Sequence, residues 1–455
     1  MIRTAERTAP QTEAAEPRAG PTPGVETVPG RIVPKPPPDP ADLPVWPHTV
    51  QGGKMVESLK RHVENLRDEQ GEHGNRVLFL DDLFVVHLLA FFNPSINSLR
   101  TIEDFSQTAQ AQKHLSVPKV CKSTHSDLNA IADAGRLQPI IAELRDALKP
   151  YSLATSVAKP YRTLLKEVIA VDGTFLPALA QVAWAVRSSN KKPGPKGHHG
   201  YRARVDVHLD VRTGLPECIV IPEPKQSEAK SAAATVKPGA VHIYDRGFCS
   251  IDLLSAHFGT GPEPVAHFVQ RLRGEGGAGG NTAKFVVETE LAVDPLSREC
   301  GVVSDRLGRL PGLKERHGID PLVREVVIVG SDGSVVRLFT SILELPAHLV
   351  GMLYKMRWRV ELFFKWLKSH WNLDHLICTK KEGMLFHFHV VVVGVLLMHL
   401  HTDAKPSKYM LAMFGLLASG AARLDEILPI LRERERRCKL DRQSAARRAP
   451  KKKKA

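Results

Sequence analysis

The pattern of apolar and polar positions divides the chain into stretches of different period. From about Gln51 to Pro150 the period is helical. Leu59, Val63 and Leu66 share one face, and an apolar run follows from Val77 to Phe92. The segment SLRTIEDFSQTAQAQKHLSVPKVCKSTHSDLNAIAD then reads as a helix, a turn near His114 to Pro118, and a helix capped by Ser123 or Thr124. A helix-turn-helix DNA reader and an ordinary helical bundle both fit this segment. The run at Val77 to Phe92 contains Asp81, Asp82 and His87, and a second run, Val390 to Leu400, is short and bracketed by His389 and His399. Both predict buried helices rather than membrane spans.

At Lys166 the period shortens. EVIAVDGTFL predicts a strand ending at Asp172-Gly173, and YRARVDVHLDVRTGLPECIVIPEP alternates as a hairpin around Arg212 to Gly214. QSEAKSAAATV has helical composition, AVHIYDRGFCS is a strand reaching Asp245 at its C-terminal end, and PVAHFVQRLR is a further strand. This order predicts a mixed α/β sheet with carboxylates at the ends of two strands. Asp172-Gly173 and Asp245-Arg246-Gly247 are also good turn sequences, and that plainer explanation stays open. GEGGAGG, Gly274 to Gly280, opens a β-rich insert that closes with a hairpin turning at Ser331-Asp332-Gly333.

Next comes YKMRWRVELFFKWLK, Tyr354 to Lys368. Wound at about 100° per residue, a single helix places Tyr354, Arg357, Glu361 and Lys368 within a sector of roughly 60°. Met356, Val360, Phe363 and Leu367 form a separate apolar stripe. An amphipathic surface helix with an Arg357–Glu361 ion pair accounts for this face by itself. Joined with two strand-end aspartates, however, the glutamate completes an acidic cluster suited to hard divalent cations held by oxygen.

Composition adds a partner. The 455 residues exceed one usual core, so two or three domains are expected. A formal charge of +14 points to a polyanion, most simply nucleic acid. The six cysteines are scattered with no CxxC pair, which fits a reducing cytosol and argues against a zinc module. No apolar leader segment is read at the N-terminus.

VDGT at 171–174, YDRGF at 244–248 and the spaced Tyr354, Arg357, Glu361 and Lys368 resemble the three catalytic blocks of DDE transposases of the insertion-sequence-4 family. The similarity extends loosely from about Leu99 to about Leu400. The resemblance implies an RNase H-like core with a β-rich insertion, preceded by a helical domain and followed by C-terminal helices. It implies that Asp172, Asp245 and Glu361 are the catalytic, metal-binding triad for two Mg²⁺ ions, with Mn²⁺ as a substitute, and that Tyr354, Arg357 and Lys368 bind DNA at the transposon-end phosphate. The partners it implies are double-stranded DNA and a second copy of the chain in a synaptic complex, without a membrane, in a bacterial cytoplasm. Some relatives stack a flipped base on a Trp in the insert. Gly274 to Thr340 has none, leaving either Phe285 or Phe339 as substitutes or a reaction without base flipping and without a flanking hairpin. The HHG at 198–200 reads as a mobile connector or a phosphate contact.

The domain division that follows is a Pro-rich arm at 1–50, a helical DNA-binding domain at 51–160, the first part of the core at 161–273, the insertion at 274–342, the second part of the core at 343–403, C-terminal helices at 404–438 and a basic disordered tail at 439–455. The arm holds twelve of the 33 prolines. The tail sets eight lysines and arginines against Asp441, a net of +7. Three functions remain: an active transposase, a transposase-derived DNA-binding protein without transposition activity, and a stand-alone RNase H-type nuclease.

Overall fold

Helical periodicity in the N-terminal part becomes α1 (Leu80–Phe92), α2 (Leu99–Ser106), α3 (Lys122–Ile131) and α4 (Gln138–Ala147). The computed structural model describes residues 65–66, 78–92, 96, 98–108, 119–148, 161, 163–178, 186–187, 201–272, 284–370, 380–402, 407–418 and 422–448. The expectations for the Pro-rich arm, Leu59, Val63, the turn at His114 to Pro118, the HHG at 198–200 and the run at Gly274 to Gly280 lie outside the described residues. Ser98 caps α2, its hydroxyl accepting from the Thr101 N–H while Thr101 Oγ1 takes the Ser98 N–H. The expected cap of α3 is corrected. Cys121 is the N-cap and supplies no side-chain bond, because the His125 N–H already reaches the Cys121 carbonyl at 2.9 Å, which draws Ser123 and Thr124 into the first turn.

The sheet has ten strands: β1 (Val168–Ala178), β2 (Val186–Arg187), β3 (Tyr201–Asp210), β4 (Leu215–Val220), β5 (Val241–Tyr244), β6 (His267–Arg271), β7 (Val286–Glu290), β8 (Val302–Arg309), β9 (Val323–Val329) and β10 (Val335–Thr340). Their order is β2-β3-β1-β5-β6-β10-β9-β8-β7, with β4 also paired to β3. β1, β5 and β6 are parallel, and every other pairing is antiparallel. The β-rich insert therefore continues the same sheet through β6 and β10 rather than forming a second one. Both expected hairpins are present. Their turns place Gly214 at φ +70° and Gly333 at φ +78°, where a side chain would be strained.

Successive residues of β1 face opposite cores. Val168 and Ala170 join a large core with the N-terminal helices, while Ile169 and Val171 join a second with Phe248, Phe258 and Phe268. In β5, Val241 and Ile243 share the first core and Tyr244 the second. Over the first face lie α9 (Ala347–Met356), packed on β5, β6, β9 and β10, and α10 (Trp358–His370), packed on β1 and β3.

Short helices fill the other connections: α5 (Glu228–Ala233), α6 (Ile251–Ala256), α7 (Pro295–Glu299) and α8 (Pro311–His317). The run centred on Val390 to Leu400 lies in a longer helix, α11 (Lys381–Thr402), which packs against α1, α3, α4 and β4. By length and apolarity it matches a membrane span, yet 89% of that span is buried inside the protein, as a core helix is. Where α11 meets α1, His87 Nδ1 and His387 Nδ1 lie 2.8 Å apart, and His125 stacks on His87. α12 (Lys408–Ala418) and α13 (Leu424–Arg448) complete the chain. The tail expected to be disordered from Lys439 is helical through Arg448. Its run of Arg, Leu, Gln and Ala has high helix propensity, and Glu433 pairs with Arg436 and Arg437 one turn on.

Candidate active site

Strand parity brings the two aspartates together. The parallel register pairs Val171 with Tyr244, so Asp172 and Asp245 follow as the next residues on neighbouring strands. Each is an even step from a residue of the first core, Ala170 and Ile243, so both side chains project to the face covered by α9 and α10. Asp172 does not end its strand, contrary to expectation. β5 stops at Tyr244, but β3 pairs with β1 as far as Ala178, and this antiparallel ladder holds Asp172 opposite Val207 in extended backbone. The turn reading of Asp172-Gly173 falls with it. Asp245 does leave its strand, preceding a single 3₁₀ turn at Arg246–Phe248.

The single helix expected at 354–368 is two helices meeting at Arg357. There the bonding tightens to i→i+3: the Arg357 N–H reaches the Tyr354 carbonyl and the Val360 N–H the Arg357 carbonyl, each at 3.0 Å. The break lets α9 follow β5 and β6 while α10 crosses β1 and β3. Val360, Phe363 and Leu367 are buried, as the apolar stripe predicts. Tyr354, Arg357 and Glu361 still share the sheet-facing side.

All three touch the two aspartates or each other. The Tyr354 hydroxyl donates to Asp245 Oδ1 at 2.9 Å across 109 residues of sequence. Arg357 Nη1 donates to Asp172 Oδ2 at 3.4 Å and Nη2 to Glu361 Oε1 at 2.5 Å. Arg357 as a residue is only 9% exposed, which a member of a solvated surface pair would not be. Arg271, at the end of β6, adds a charge 3.9 Å from Asp245. Trp358 and Leu362 point outward. The side chain of Lys368 lies outside the described residues, so its place at the site is not fixed by the structure.

The two aspartates are electrostatically unlike. Burial pushes Asp172 up to about 6; Arg357 and the Gly173 N–H pull against that, while Glu228 and Glu361 add to it. At Asp245 burial also pushes up but is outweighed by the Arg246 N–H, Arg357, Tyr354 and Arg271, which hold the carboxyl below its ordinary value. Burial and the Asp245 charge raise Tyr354, keeping the phenol protonated as a donor.

Two further carboxylates that the sequence patterns did not single out lie on the Gly173 side of β1, the face opposite Asp172, from where the Glu228 charge still bears on Asp172. Asp206 of β3 lies opposite Gly173 and pairs with Arg204, and Glu228 opens α5. A side chain at Gly173 would meet Asp206 Oδ1 and Glu228 Oε1, each at 2.8 Å. The usable signal was the glycine after each aspartate, in VDGT and YDRGF. Of the proposed base-stacking phenylalanines, Phe339 is 1% exposed and Phe285 packs on it at 5.1 Å between ring centres. Phe339 is part of the second core and offers no free ring face to a base, while Phe285 is half-buried against that core.

Among the described residues, no three His, Cys, Asp or Glu side chains surround a common point as metal ligands do. A guanidinium rather than a shared centre links Asp172 to Glu361. The site is thus a partly desolvated acidic corner on a mixed sheet, balanced by arginine.

Residues 163–397, just over half of the chain, match the family described as Transposase DDE domain, and the chain belongs to that family. It is 24% identical over 234 residues to a Sinorhizobium fredii protein named as transposase y4zB, covering 50% of this chain and 59% of that protein. To a Synechocystis protein named for the transposase of insertion sequence element IS4SA it is 22% identical over 290 residues, covering 61% and 71%. The chain thus spans less than two thirds of the first of these relatives. The piggyBac transposase synaptic complex with hairpin DNA aligns at a TM-score of 0.35 and 10% identity over 88% of this chain and 79% of that one, a likeness too slight to bear on the fold.

Proposed function

We propose that this protein is a DNA transposase of the insertion-sequence-4 type. It binds the terminal inverted repeats of its element and cuts and joins DNA strands there, with Asp172, Asp245 and Glu361 as the catalytic carboxylates. The observation that carries this reading is the convergence of two parallel-strand carboxylates with a helix glutamate through Arg357. An RNase H-like core is supported by three antiparallel strands, β4, β3 and β1, running into the parallel β5 and β6.

The donor chemistry suits divalent cations such as two Mg²⁺, or Mn²⁺ in their place. Oxygen donors from Asp172, Asp245 and Glu361 are gathered in a partly dry corner, a donor set of the kind hard divalent cations take. When bound, such ions supply activation of a water or 3′-hydroxyl and stabilisation of the leaving oxygen. The chain's own residues do the rest. Asp172, Asp245 and Glu361 would hold such ions, and Arg357, whose donors lie against Asp172 and Glu361, would be placed to bind a phosphate. Tyr354 holds Asp245 in place, and Lys368 grips the end phosphate.

In this reading residues 51–160 form a DNA-binding domain, residues 1–50 an arm, and the basic C-terminus adds non-specific attraction. Two copies pair the ends, and the reaction takes place on DNA in the bacterial cytoplasm. A transposase-derived DNA-binding protein without catalysis is the second reading, favoured by the guanidinium between Asp172 and Glu361.

End binding in Ca²⁺ beside cleavage in Mg²⁺, on the element's own ends, tests both. Glu361→Gln should bind at least as tightly as the parent and cut nothing. Arg357→Ala and Lys368→Ala should bind roughly ten- to a hundredfold more weakly, about 1.4–2.8 kcal/mol. Absence of cleavage by the unaltered chain under these conditions, with binding intact, would select the second reading.

A further inference from the structure

We propose that the β-rich insertion is the bed that sets α9 over the strand ends, with Ser297 and Arg324 as positioning residues for Tyr354 and, through it, Asp245. The inference rests on the transposase reading above for its catalytic meaning and deepens it.

The first turn of α9 is capped from the insertion. Pro346 stands at its N-cap and supplies no side-chain acceptor, while the Pro346 carbonyl takes the Leu349 and Val350 N–H groups. The His348 N–H finds the Ser297 hydroxyl of α7 instead, at 3.2 Å. Ser297 is 0% exposed, and its one hydroxyl proton goes to Asp294 Oδ2 at 2.5 Å. Its oxygen is left to accept from the His348 N–H and from His348 Nδ1 at 3.0 Å.

The residues just before the helix are held from the insertion as well. Arg324 of β9 is buried and grips Asp305 of β8 with Nε and Nη2 at 2.7 and 2.6 Å, a bidentate pair that fixes the plane of the guanidinium. Its remaining nitrogen, Nη1, donates to the Leu343 and Leu345 carbonyls at 2.8 and 2.5 Å. A buried ion pair often adds no stability over apolar packing, so what this one supplies is direction. A third contact is steric. A Cβ on Gly351 would stand 2.5 Å from Ile328 Cδ1, so α9 lies directly on β9.

The far end of the same helix carries the site. Tyr354 donates to Asp245 at 2.9 Å, and Asp245 follows β5, which β1 and β6 hold on both sides. The ten residues of α9 make a hydrogen-bonded rod of about 15 Å. A shift at Ser297 or Arg324 therefore arrives at Tyr354, while Asp245 stays where the sheet holds it.

The test reads the Tyr354 hydroxyl in the full chain, without DNA or metal and at constant pH. The carbon-13 resonance of Tyr354 Cζ reports the hydrogen bond that the phenol donates. It is assigned by its loss in Tyr354→Phe, and Asp245→Ala marks its position without the partner. Ser297→Ala and Arg324→Lys should each move it toward the Asp245→Ala position, and Ser297→Ala serves alone if the other variant does not fold. Ile140→Ala, a core change in α4, which packs on α11, should lower the melting temperature and leave the resonance in place. On the element's ends, Ser297→Ala should cut about tenfold more slowly in Mg²⁺ with end binding in Ca²⁺ unchanged, and should add no slowing in a Tyr354→Phe background. A resonance unmoved by Ser297→Ala overturns the inference, and so does an equal shift in Ile140→Ala, which marks general loosening. Further slowing in the Tyr354→Phe background overturns the route through Tyr354. A parent that cuts no DNA overturns the transposase reading alone, because the resonance is read without catalysis.

Discussion

Arg357 and Glu361 are joined at 2.5 Å across one helical turn, yet Arg357 is almost wholly buried and also reaches Asp172. A solvated pair at this spacing contributes about 0.2–0.5 kcal/mol. Here, removing the guanidinium leaves two carboxylates facing each other in a partly dry corner. Arg357→Ala should therefore destabilise the protein by about 3 kcal/mol, the lower end for a broken buried pair. Because a cation can take the same place, Mg²⁺ should restore more stability to the variant than to the parent. Urea titrations with and without Mg²⁺ measure both quantities. A loss under about 0.5 kcal/mol would return Arg357 to the surface-pair class.

Asp172 makes the stability of the apo protein depend on pH with an unusual sign. Its folded value is raised to about 6, so between its ordinary value and 6 the folded state holds a proton that the unfolded chain releases. That contribution is present at low pH and is lost as pH rises through 6. The buried histidines run the other way. His125, His208 and His387 are lowered to about 4 by burial, so their contribution is present above about 6.5 and is lost as pH falls toward 4. Several histidines outweigh one aspartate, so the parent should lose stability overall on acidification. Asp172→Asn separates the terms. Without divalent ions it should be more stable than the parent by up to about 3 kcal/mol at pH 8, with the gap closing toward pH 4. A gap independent of pH would mean that Asp172 ionises normally.

What the sequence revealed and what it hid follow from the range of the interactions. The alternation in β1 and β5, the Arg212 to Gly214 turn and the Val360, Phe363 and Leu367 stripe are local, and period and turn chemistry suffice to read them. The length of β1 beyond Asp172 was hidden because it depends on pairing with β3, whose first residue lies more than twenty positions further along. The break at Arg357 was hidden because it serves contacts with two parts of the sheet, and a helical wheel assumes one straight axis. Phe339 stood as a stacking candidate because the insert has aromatics but no Trp, and its place in the fully buried half of β10, Leu338 to Thr340, was hidden because it depends on pairing with β6 and β9. Glu228 lies in a segment with no pattern beyond helical composition. Only its three-dimensional approach to Gly173 picks it out.

Tyr354 ties α9 to Asp245 with a charge-assisted bond, the kind worth about 1.5–3 kcal/mol when fully desolvated. Asp245 is 30% exposed, so Tyr354→Phe should cost less, about 1 kcal/mol. The more specific sign is in titration. The phenol is one of the groups that hold Asp245 down, so its removal should raise the carboxyl value. Carbon-13 NMR of the Asp245 carboxyl reads this directly. An unmoved titration would show that the bond does not persist in solution.

Gly173→Ala probes the face of β1 opposite Asp172, where Asp206 and Glu228 crowd the glycine. The new Cβ would stand 2.8 Å from both Asp206 Oδ1 and Glu228 Oε1, closer than side chains tolerate. The backbone cannot yield easily, because β1 is held by β3 on one side and β5 on the other. The carboxylates must move, and overpacking of this kind costs about 1–3 kcal/mol. Glu228→Ala removes one of the two opposing atoms. If Glu228 lies where the structure places it, the cost of Gly173→Ala should fall by at least about 0.5 kcal/mol in the Glu228→Ala background, the lower bound for coupled neighbours. Part of the cost should remain, since Asp206 still faces the new methyl group with Arg204 holding it. A double-mutant cycle by chemical denaturation supplies all four stabilities. Strict additivity would place Glu228 away from Gly173 and with it away from the aspartates.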